Sequence, residues 1–268
     1  LMKIWSLIKQ LFRPLFYSIY RHRLEQQVGN WKIPQHIGVI LDGNRRYARN
    51  LGLANVVEGH YDGADKLEEF LGWCDELGVK IVSIWIFSLD NFNREGSEVH
   101  DILNVIEEKM WEMVNDEKVH RNQVRIRSMG QVELLPESLQ EAIRKAEEVT
   151  QNYNKFILNI AVAYGGREEV VEACRNYLIS ETVNGKDIGT LIEELDVTSI
   201  ATHLYTSDLP DPDLIIRTSG EIRLSGFLMW QSVYSEYYFC DTFCPAFRKI
   251  DFLRALRDYN QRQRRYGQ

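Results

Sequence analysis

Asp42-Gly43-Asn44-Arg45-Arg46 sets a carboxylate, a permissive backbone position, an amide and two guanidinium groups side by side. Those residue types suit a diphosphate and its metal. A carboxylate oxygen is a hard donor of the kind Mg²⁺ takes. Arginines offer forked donors whose charge is permanent. Glycine lets phosphate oxygens approach the backbone. Immediately before this cluster runs His36-Ile37-Gly38-Val39-Ile40-Leu41, which reads as a buried strand ending in a polar turn that opens a helix. The helix N-terminus would add N–H donors for an anion. The same residues also suit a plain strand-to-helix turn with Asp42 or Asn44 as the N-cap. Taken alone, they leave both readings open.

Similar clusters follow other strand-like runs. Ser88-Leu89-Asp90-Asn91-Phe92-Asn93-Arg94 follows 80–87, Ala163-Tyr164-Gly165-Gly166-Arg167 follows 156–162, and Arg217-Thr218-Ser219-Gly220-Glu221-Ile222-Arg223-Leu224-Ser225 follows 213–216. Parallel strands would gather these ends on one edge of a sheet, where ligands bind in open α/β folds. Arginines collected there repel one another unless anions neutralise them. Neither Gly-x-x-x-x-Gly-Lys-Ser/Thr nor Gly-x-Gly-x-x-Gly occurs, so nucleoside triphosphate and dinucleotide sites lack support.

The elements that must position these residues follow from periodicity. Strand-like runs lie at 36–41, 80–87, 123–128, 156–162 and 213–217, with helical patterns near 60–77, 98–118, 137–151 and 166–182. Leu67, Phe70, Leu71 and Cys74 give the first helix an apolar face, and Ile102, Val105, Ile106, Met110 and Met113 do so for the second. The alternation predicts an α/β fold with a mainly parallel central sheet covered by helices. No Pro/Gly/Ser-rich linker divides the body, so one domain is expected over 31–268, preceded by a distinct segment at 1–30.

That segment is basic and amphipathic. Ile4, Leu7, Ile8, Leu11, Phe12, Leu15, Phe16 and Ile19 recur at helical spacing among Lys3, Lys9, Arg13, Arg21 and Arg23, with Pro14 interrupting the pattern. Its charges make it too polar to span a bilayer. Peripheral membrane contact through residues 3–23 and packing on the domain's own core are the two readings. The chain has 268 residues, 44% hydrophobic and 26% charged, with a formal net charge of −7. That balance argues against nucleic-acid binding through bulk charge. Cys74, Cys174, Cys240 and Cys244 form no zinc pattern and read as free thiols of a reducing, cytoplasmic compartment.

Five blocks in order resemble the signatures of the cis-prenyltransferases, the family of undecaprenyl and dehydrodolichyl diphosphate synthases. They are His-Ile-Gly-Val-Ile-Leu-Asp-Gly-Asn-Arg-Arg (36–46), Gly-His (59–60), Phe-Ser-Leu-Asp-Asn-Phe-Asn-Arg (87–94), Asn-Ile-Ala-Val-Ala-Tyr-Gly-Gly-Arg (159–167) and Ile-Arg-Thr-Ser-Gly-Glu-Ile-Arg-Leu-Ser-Gly-Phe-Leu-Met-Trp-Gln (216–231). The resemblance covers roughly 34–265. It implies condensation of isopentenyl diphosphate with an allylic prenyl diphosphate, one cis C5 unit per cycle, with release of pyrophosphate. It also implies an undecaprenyl diphosphate synthase-like fold with an apolar tunnel for the growing chain, and the two amphipathic helices above are its candidate walls.

Residue roles carried over by the resemblance are as follows. Asp42 helps hold Mg²⁺ at the allylic diphosphate, and Glu236 matches an acidic position linked to the same ion. Gly43, Asn44, Arg45, Arg46, Tyr47 and His60 line the allylic site. Ser88, Leu89, Asp90, Phe92 and Arg94 belong to the substrate-binding loop, with Asn91 at the position associated with proton removal. An amide is a poor base, so Asn91 is expected to position, with pyrophosphate or water accepting the proton. Arg217, Arg223, Leu224 and Ser225 match the isopentenyl diphosphate positions. Arg265 and Gly267 resemble an Arg-x-Gly motif that reaches a diphosphate site across a dimer interface, which implies a homodimer.

Departures from the family pattern accompany these matches. The stretch Gly52-Leu53-Ala54-Asn55-Val56-Val57-Glu58 lacks the arginine that many bacterial members carry before Gly-His, and Arg45 stands where those members have glycine. Ile222 stands where they often have histidine. Short or non-head-to-tail products, and a non-catalytic prenyl-diphosphate-binding subunit, are the competing functions.

Overall fold

A computed structural model describes residues 17–262. The first helix, α1, covers residues 17–28. After it come β1 (His36–Ile40), α2 (Asn44–Leu51), α3 (Val57–Glu76), β2 (Ile81–Ser88), α4 (Gly96–Asn115), α5 (Glu117–Arg121), β3 (Val124–Met129), α6 (Glu137–Thr150), β4 (Phe156–Tyr164), α7 (Gly166–Val183), α8 (Ile188–Glu194), α9 (Val197–Ala201), β5 (Leu214–Arg217), β6 (Glu236–Phe239) and α10 (Lys249–Gln261). The six strands form one parallel sheet in the order β3-β4-β2-β1-β5-β6.

That order reverses between β1 and β5: β1 leads to β2 on one side, β5 to β6 on the other. A reversal of this kind opens a crevice beyond the carboxyl ends of the two strands. Asp42 follows β1, and Arg217 closes β5 directly opposite Ile40.

Alternation along the strands separates two cores. Ile37, Val39, Val82, Ile84, Leu158 and Ile160 join Leu67 and Phe70 of α3, Ile102 and Met110 of α4, Leu139 and Ile143 of α6, and Phe252 and Leu256 of α10. On the opposite face, Ile40, Met129, Ala161, Tyr164 and Ile215 pack with Phe227 and Leu228 of the β5–β6 connection, with Trp85 and Tyr205 against them. Burying strands on both faces explains why they read as nearly continuous apolar runs.

A polar chain runs through the sheet. His36 Nδ1–H donates to the Pro210 carbonyl at 2.7 Å, its Nε2 accepts from Ser83 Oγ at 2.8 Å, and Asn159 Nδ2 donates to the same hydroxyl at 2.9 Å. The carbonyl can only accept, which fixes the tautomer. These contacts tie β1, β2 and β4 in one register.

The expected strands and helices all form, with ends displaced by a few residues. Sequence periodicity assigns no strand or helix beyond 217, where the structure has β6 and α10. Strand β6 is four half-buried residues without alternation and exists because β5 offers a free edge to pair with. Neither Asp42 nor Asn44 caps α2. Gly43 occupies the N-cap in the left-handed region, φ 104°, with no side-chain cap. Its Cβ would sit 2.6 Å from the Phe243 ring, so glycine is required there to fit the protein's own packing.

Part of the N-terminal segment is visible in α1. Leu24 packs on Ile250 and Leu253 of α10, Arg257 Nη1 donates to Tyr20 Oη at 2.6 Å, and Arg248 lies over the Tyr17 ring at 4.5 Å. Residues 17–28 thus dock on the domain, while Ile19, Arg21 and Arg23 remain exposed. Residues 3–16 lie outside the described residues.

Candidate active site

A cavity of about 650 Å³ opens at the carboxyl edge, over the β1/β5 crevice. Asp42, Gly43, Asn44, Arg45, Arg46, His60, Ser88, Asp90, Asn91, Arg94, Arg217, Arg223 and Ser225 all line it. Residues up to 183 positions apart in sequence therefore share one site.

Asp42 sits at the junction of the two strands. Its backbone N–H donates to Thr218 Oγ1 at 2.9 Å, and the same hydroxyl donates to the Asp42 carbonyl at 2.7 Å. Its carboxylate accepts from Arg217 Nη2 at 2.9 Å and faces Arg46 at 3.8 Å. The Arg217 side chain is only 6% exposed. It also donates to the Arg223 carbonyl and to Ser225 Oγ, and so shapes the loop after β5 around itself. Its Nε is buried without an acceptor among the described residues. Arg46 donates to Ser219 Oγ at 2.8 Å and pairs with Glu221, which also holds the exposed Arg223 at 2.7 Å.

Across the cavity, Glu98 of α4 accepts from Arg45 at 3.0 Å and from Arg94 at 2.8 Å. Both guanidiniums hold the Glu98 carboxyl below its ordinary range, against the opposing effect of burial. Beside them, burial first and then the charges of Arg94 and Arg45 push His60 down to about 4. Its imidazole is neutral near pH 7, and its Nε2 is buried without a partner among the described residues. Asn91 turns its amide oxygen back to the Ser88 N–H at 2.9 Å, so its amide nitrogen is the end left to meet a ligand among the described residues.

Six lining arginines, Arg49 included, face Asp42, Asp90, Glu221 and, behind the surface, Glu98. The carboxylates offset part of the repulsion expected from sequence, and a positive excess remains for an anion. Asp42 fits a hard cation in the way Mg²⁺ is usually held, by one or two carboxylates together with phosphate oxygens and water. The described residues hold no cluster of three metal-ligating side chains, so the remaining ligands would have to come from substrate or solvent.

Several expected site residues lie elsewhere. Glu236 begins β6 opposite Leu214, three residues before the level of Arg217. At strand rise this sets it roughly 10 Å below the carboxyl edge. There it pairs with Arg262 at 2.9 Å, so one chain does not bring Asp42 and Glu236 to a common ion. Phe92 stacks edge-on against Phe87 at 4.9 Å and, with Leu89, packs on the main core. Leu224 packs against the second core. Tyr47 is half-buried outside the cavity lining. Arg265 and Gly267 lie outside the described residues. Glu98, Glu221 and Thr218 were not singled out from the sequence. Glu98 opens a predicted helix four residues after Arg94, a spacing that could have suggested the pair; the other two carried no such signal.

A second, apolar cavity of about 230 Å³ lies on the same sheet face toward the amino ends of the strands. Leu67 and Leu71 of α3, Met113 of α4, Val124 and Ile126 of β3, and Phe156 and Leu158 of β4 line it. Surface contacts close α3 against α4 and α5 outside it: Tyr61–Glu108, Asp65–Lys109 and Glu68–Lys118.

Residues 40–267 match the family model described as "Putative undecaprenyl diphosphate synthase". The chain belongs to this family. It is 48% identical to a tritrans,polycis-undecaprenyl-diphosphate synthase (geranylgeranyl-diphosphate specific) of Methanocaldococcus jannaschii, over 93% of this chain and 88% of that one. It is also 48% identical to a (2Z,6E)-farnesyl diphosphate synthase of Thermobifida fusca, over 96% and 99%. The solved structure of lavandulyl diphosphate synthase from Lavandula x intermedia, in complex with dimethylallyl diphosphate, superposes with a TM-score of 0.79 at 34% identity, covering 88% of this chain and 99% of that one. The protein is thus a prenyltransferase of the isoprenyl diphosphate synthase kind, built on the parallel-sheet fold of its structural neighbours.

Proposed function

We propose that this prenyltransferase lengthens an allylic prenyl diphosphate by cis addition of isopentenyl diphosphate, with Mg²⁺, releasing pyrophosphate. The observation that carries this reading is the division of one cavity between two arginine groups. Arg45 and Arg94, with His60, form one arm. Arg217, with Arg223 and Ser225, forms the other, and Asp42 lies between them beside Arg46. A reaction that joins two diphosphate esters needs two such cradles at one place.

The allylic C1–O bond breaks as the isopentenyl double bond forms a new bond to C1, and a proton leaves the adjacent carbon. Negative charge develops on the departing diphosphate, where preset guanidinium donors stabilise it more than the ground state. Bound Mg²⁺ would supply further neutralisation of the leaving group, with Asp42 the residue to hold it. Asn91 is placed to orient the second substrate, and a phosphate oxygen or water takes the proton. Neutral His60 offers polarity without the charge that would compete with the arginines. The growing chain extends along the α3/α4 face toward the apolar cavity.

The functional unit in this reading is a homodimer, with Arg265 and Gly267 of one subunit completing the diphosphate site of the other. The enzyme is cytoplasmic and touches the membrane surface peripherally through residues 3–23. No helix among the described residues is long and apolar enough to cross a membrane. A short-product variant is the second reading, because the undecaprenyl and farnesyl synthases above are equally similar to this chain.

The test is incorporation of radiolabelled isopentenyl diphosphate with farnesyl or geranylgeranyl diphosphate, with Mg²⁺ or chelator, and products resolved by length. Chelator-sensitive, butanol-extractable product is expected, with Asp42→Asn at least about a hundredfold slower. No incorporation with any primer would refute elongation, and a single-addition product would establish the short-product reading.

A further inference from the structure

Ser219 holds a backbone conformation that a glycine would take at lower cost. It stands at φ 79°, in the left-handed region, two residues past the end of β5. Residues with a Cβ persist there only where the surroundings over-determine them. Here the chain is pinned on both sides. The Ser219 N–H donates to the Thr242 carbonyl at 2.8 Å, and the Gly220 N–H donates to the Cys240 carbonyl at 2.9 Å. A side chain kept where glycine would relieve the backbone points to a use for that side chain.

The Ser219 side chain lies outside the cavity lining, at 6% exposure, and faces the start of α2. A Cβ on Gly43 would come within 3.0 Å of the Ser219 Cβ. From there Ser219 Oγ accepts from Arg46 Nη2 at 2.8 Å. The Arg46 guanidinium also lies 5.5 Å from the centroid of the Phe243 ring. Glu221 and Asp42 draw the same guanidinium, at 3.2 and 3.8 Å. Carboxylates aim an arginine by offsetting its charge. A hydroxyl and an aromatic face aim it while leaving that charge for an anion. Arg46 is half-exposed, so without such ties it would lose much rotamer freedom on meeting a ligand.

We propose that Ser219 is a positioning residue that, with the Phe243 ring, presets Arg46 for the allylic diphosphate. This rests on the function proposed above. Arg217 is held by Asp42, Ser225 and the Arg223 carbonyl, and Arg45 and Arg94 are held by Glu98. None of those ties passes through the Ser219 hydroxyl. Its loss therefore loosens Arg46 and leaves the isopentenyl diphosphate arm set.

The experiment compares Ser219→Gly and Ser219→Ala with wild type in steady-state incorporation assays, varying each substrate in turn, with melting temperatures in parallel. Both variants lose the hydroxyl, and only glycine relieves the backbone. Ser219→Gly is therefore expected to melt above Ser219→Ala, while the two share one kinetic defect: an allylic KM raised about fivefold and an isopentenyl diphosphate KM within twofold of wild type. A wild-type allylic KM in Ser219→Gly overturns the role, because any defect of Ser219→Ala would then follow stability. An equal rise of both KM values overturns it too. Wild-type turnover in the same assay tests the elongation reading separately. Were it absent, calorimetric titration with inorganic pyrophosphate would decide: weaker binding by Ser219→Gly upholds the presetting of Arg46, and equal binding overturns it.

Discussion

Most of the cavity's arginines are answered by a carboxylate: Arg217 by Asp42, Arg45 by Glu98 and Arg46 by Glu221 across distant segments, and Arg94 by Glu98 and Arg223 by Glu221 close in sequence. Such pairing keeps the guanidiniums aimed while leaving donors for a ligand. At the same scale, His36 serves the fold rather than the chemistry. Burial pushes its imidazole from 6.5 down to about 4, while the Pro210 carbonyl opposes the shift. The folded-state value lies below the unfolded one, so the unfolded chain takes up a proton first as pH falls. Stability from neutral His36 is therefore complete above about pH 6.5 and is lost as pH falls toward about 4. Between pH 7 and pH 5 the loss is about 2 kcal/mol from this residue. Urea unfolding at the two pH values should show it. His36→Gln should be less stable at pH 7 and flatter with pH, and an unchanged slope would remove His36 from that role.

At the scale of elements, α3 and α4 perform two tasks. Their inner faces complete the main core through Leu67, Phe70, Ile102 and Met110. Between them and α5 lies the apolar cavity. Sequence periodicity could not separate core from tunnel wall, because both need the same apolar stripe. The difference lies in helix spacing, which is set by packing rather than by composition. Ala64 borders the cavity on α3. Ala64→Leu should fill part of it and shift products to shorter chains, with initial incorporation nearly unchanged. Chromatography of the products by chain length checks this, and an unaltered distribution would separate the cavity from the hydrocarbon path. The α2 N-terminus shows the same dependence on close fit. A Cβ on Gly59 would lie 2.5 Å from the Asn44 carbonyl oxygen and one on Gly63 2.8 Å from the Asn44 side chain, so two glycines let α3 approach α2.

At the scale of the molecule, a polar cavity at the carboxyl edge and an apolar one toward the amino edge share the sheet face covered by α3 and α4. Helix α1 docks on α10, and Lys249 of α10 pairs with Glu76 at the end of α3. Residues 17–28 are therefore part of the domain's packing, and a test of membrane contact should spare them. Removal of residues 1–16 is expected to reduce sedimentation with anionic vesicles and leave the melting temperature unchanged; undiminished vesicle binding would exclude that segment as the anchor. The sequence by itself determined the α/β class, five of the six strands, the four long helices between 57 and 183 and most of the cavity lining. Those features rest on local period and on residue types that have few other uses. It could not determine the strand order, because pairing partners depend on which edges remain free, and so β6 escaped notice. It could not place Glu236 either, since parallel register sets that residue at the far end of the sheet from Asp42. The carboxylates that answer the arginines, and the hydroxyl that Ser219 turns toward Arg46, likewise appeared only with the tertiary structure. Most of these depend on contacts between distant segments, and no local pattern encodes such contacts.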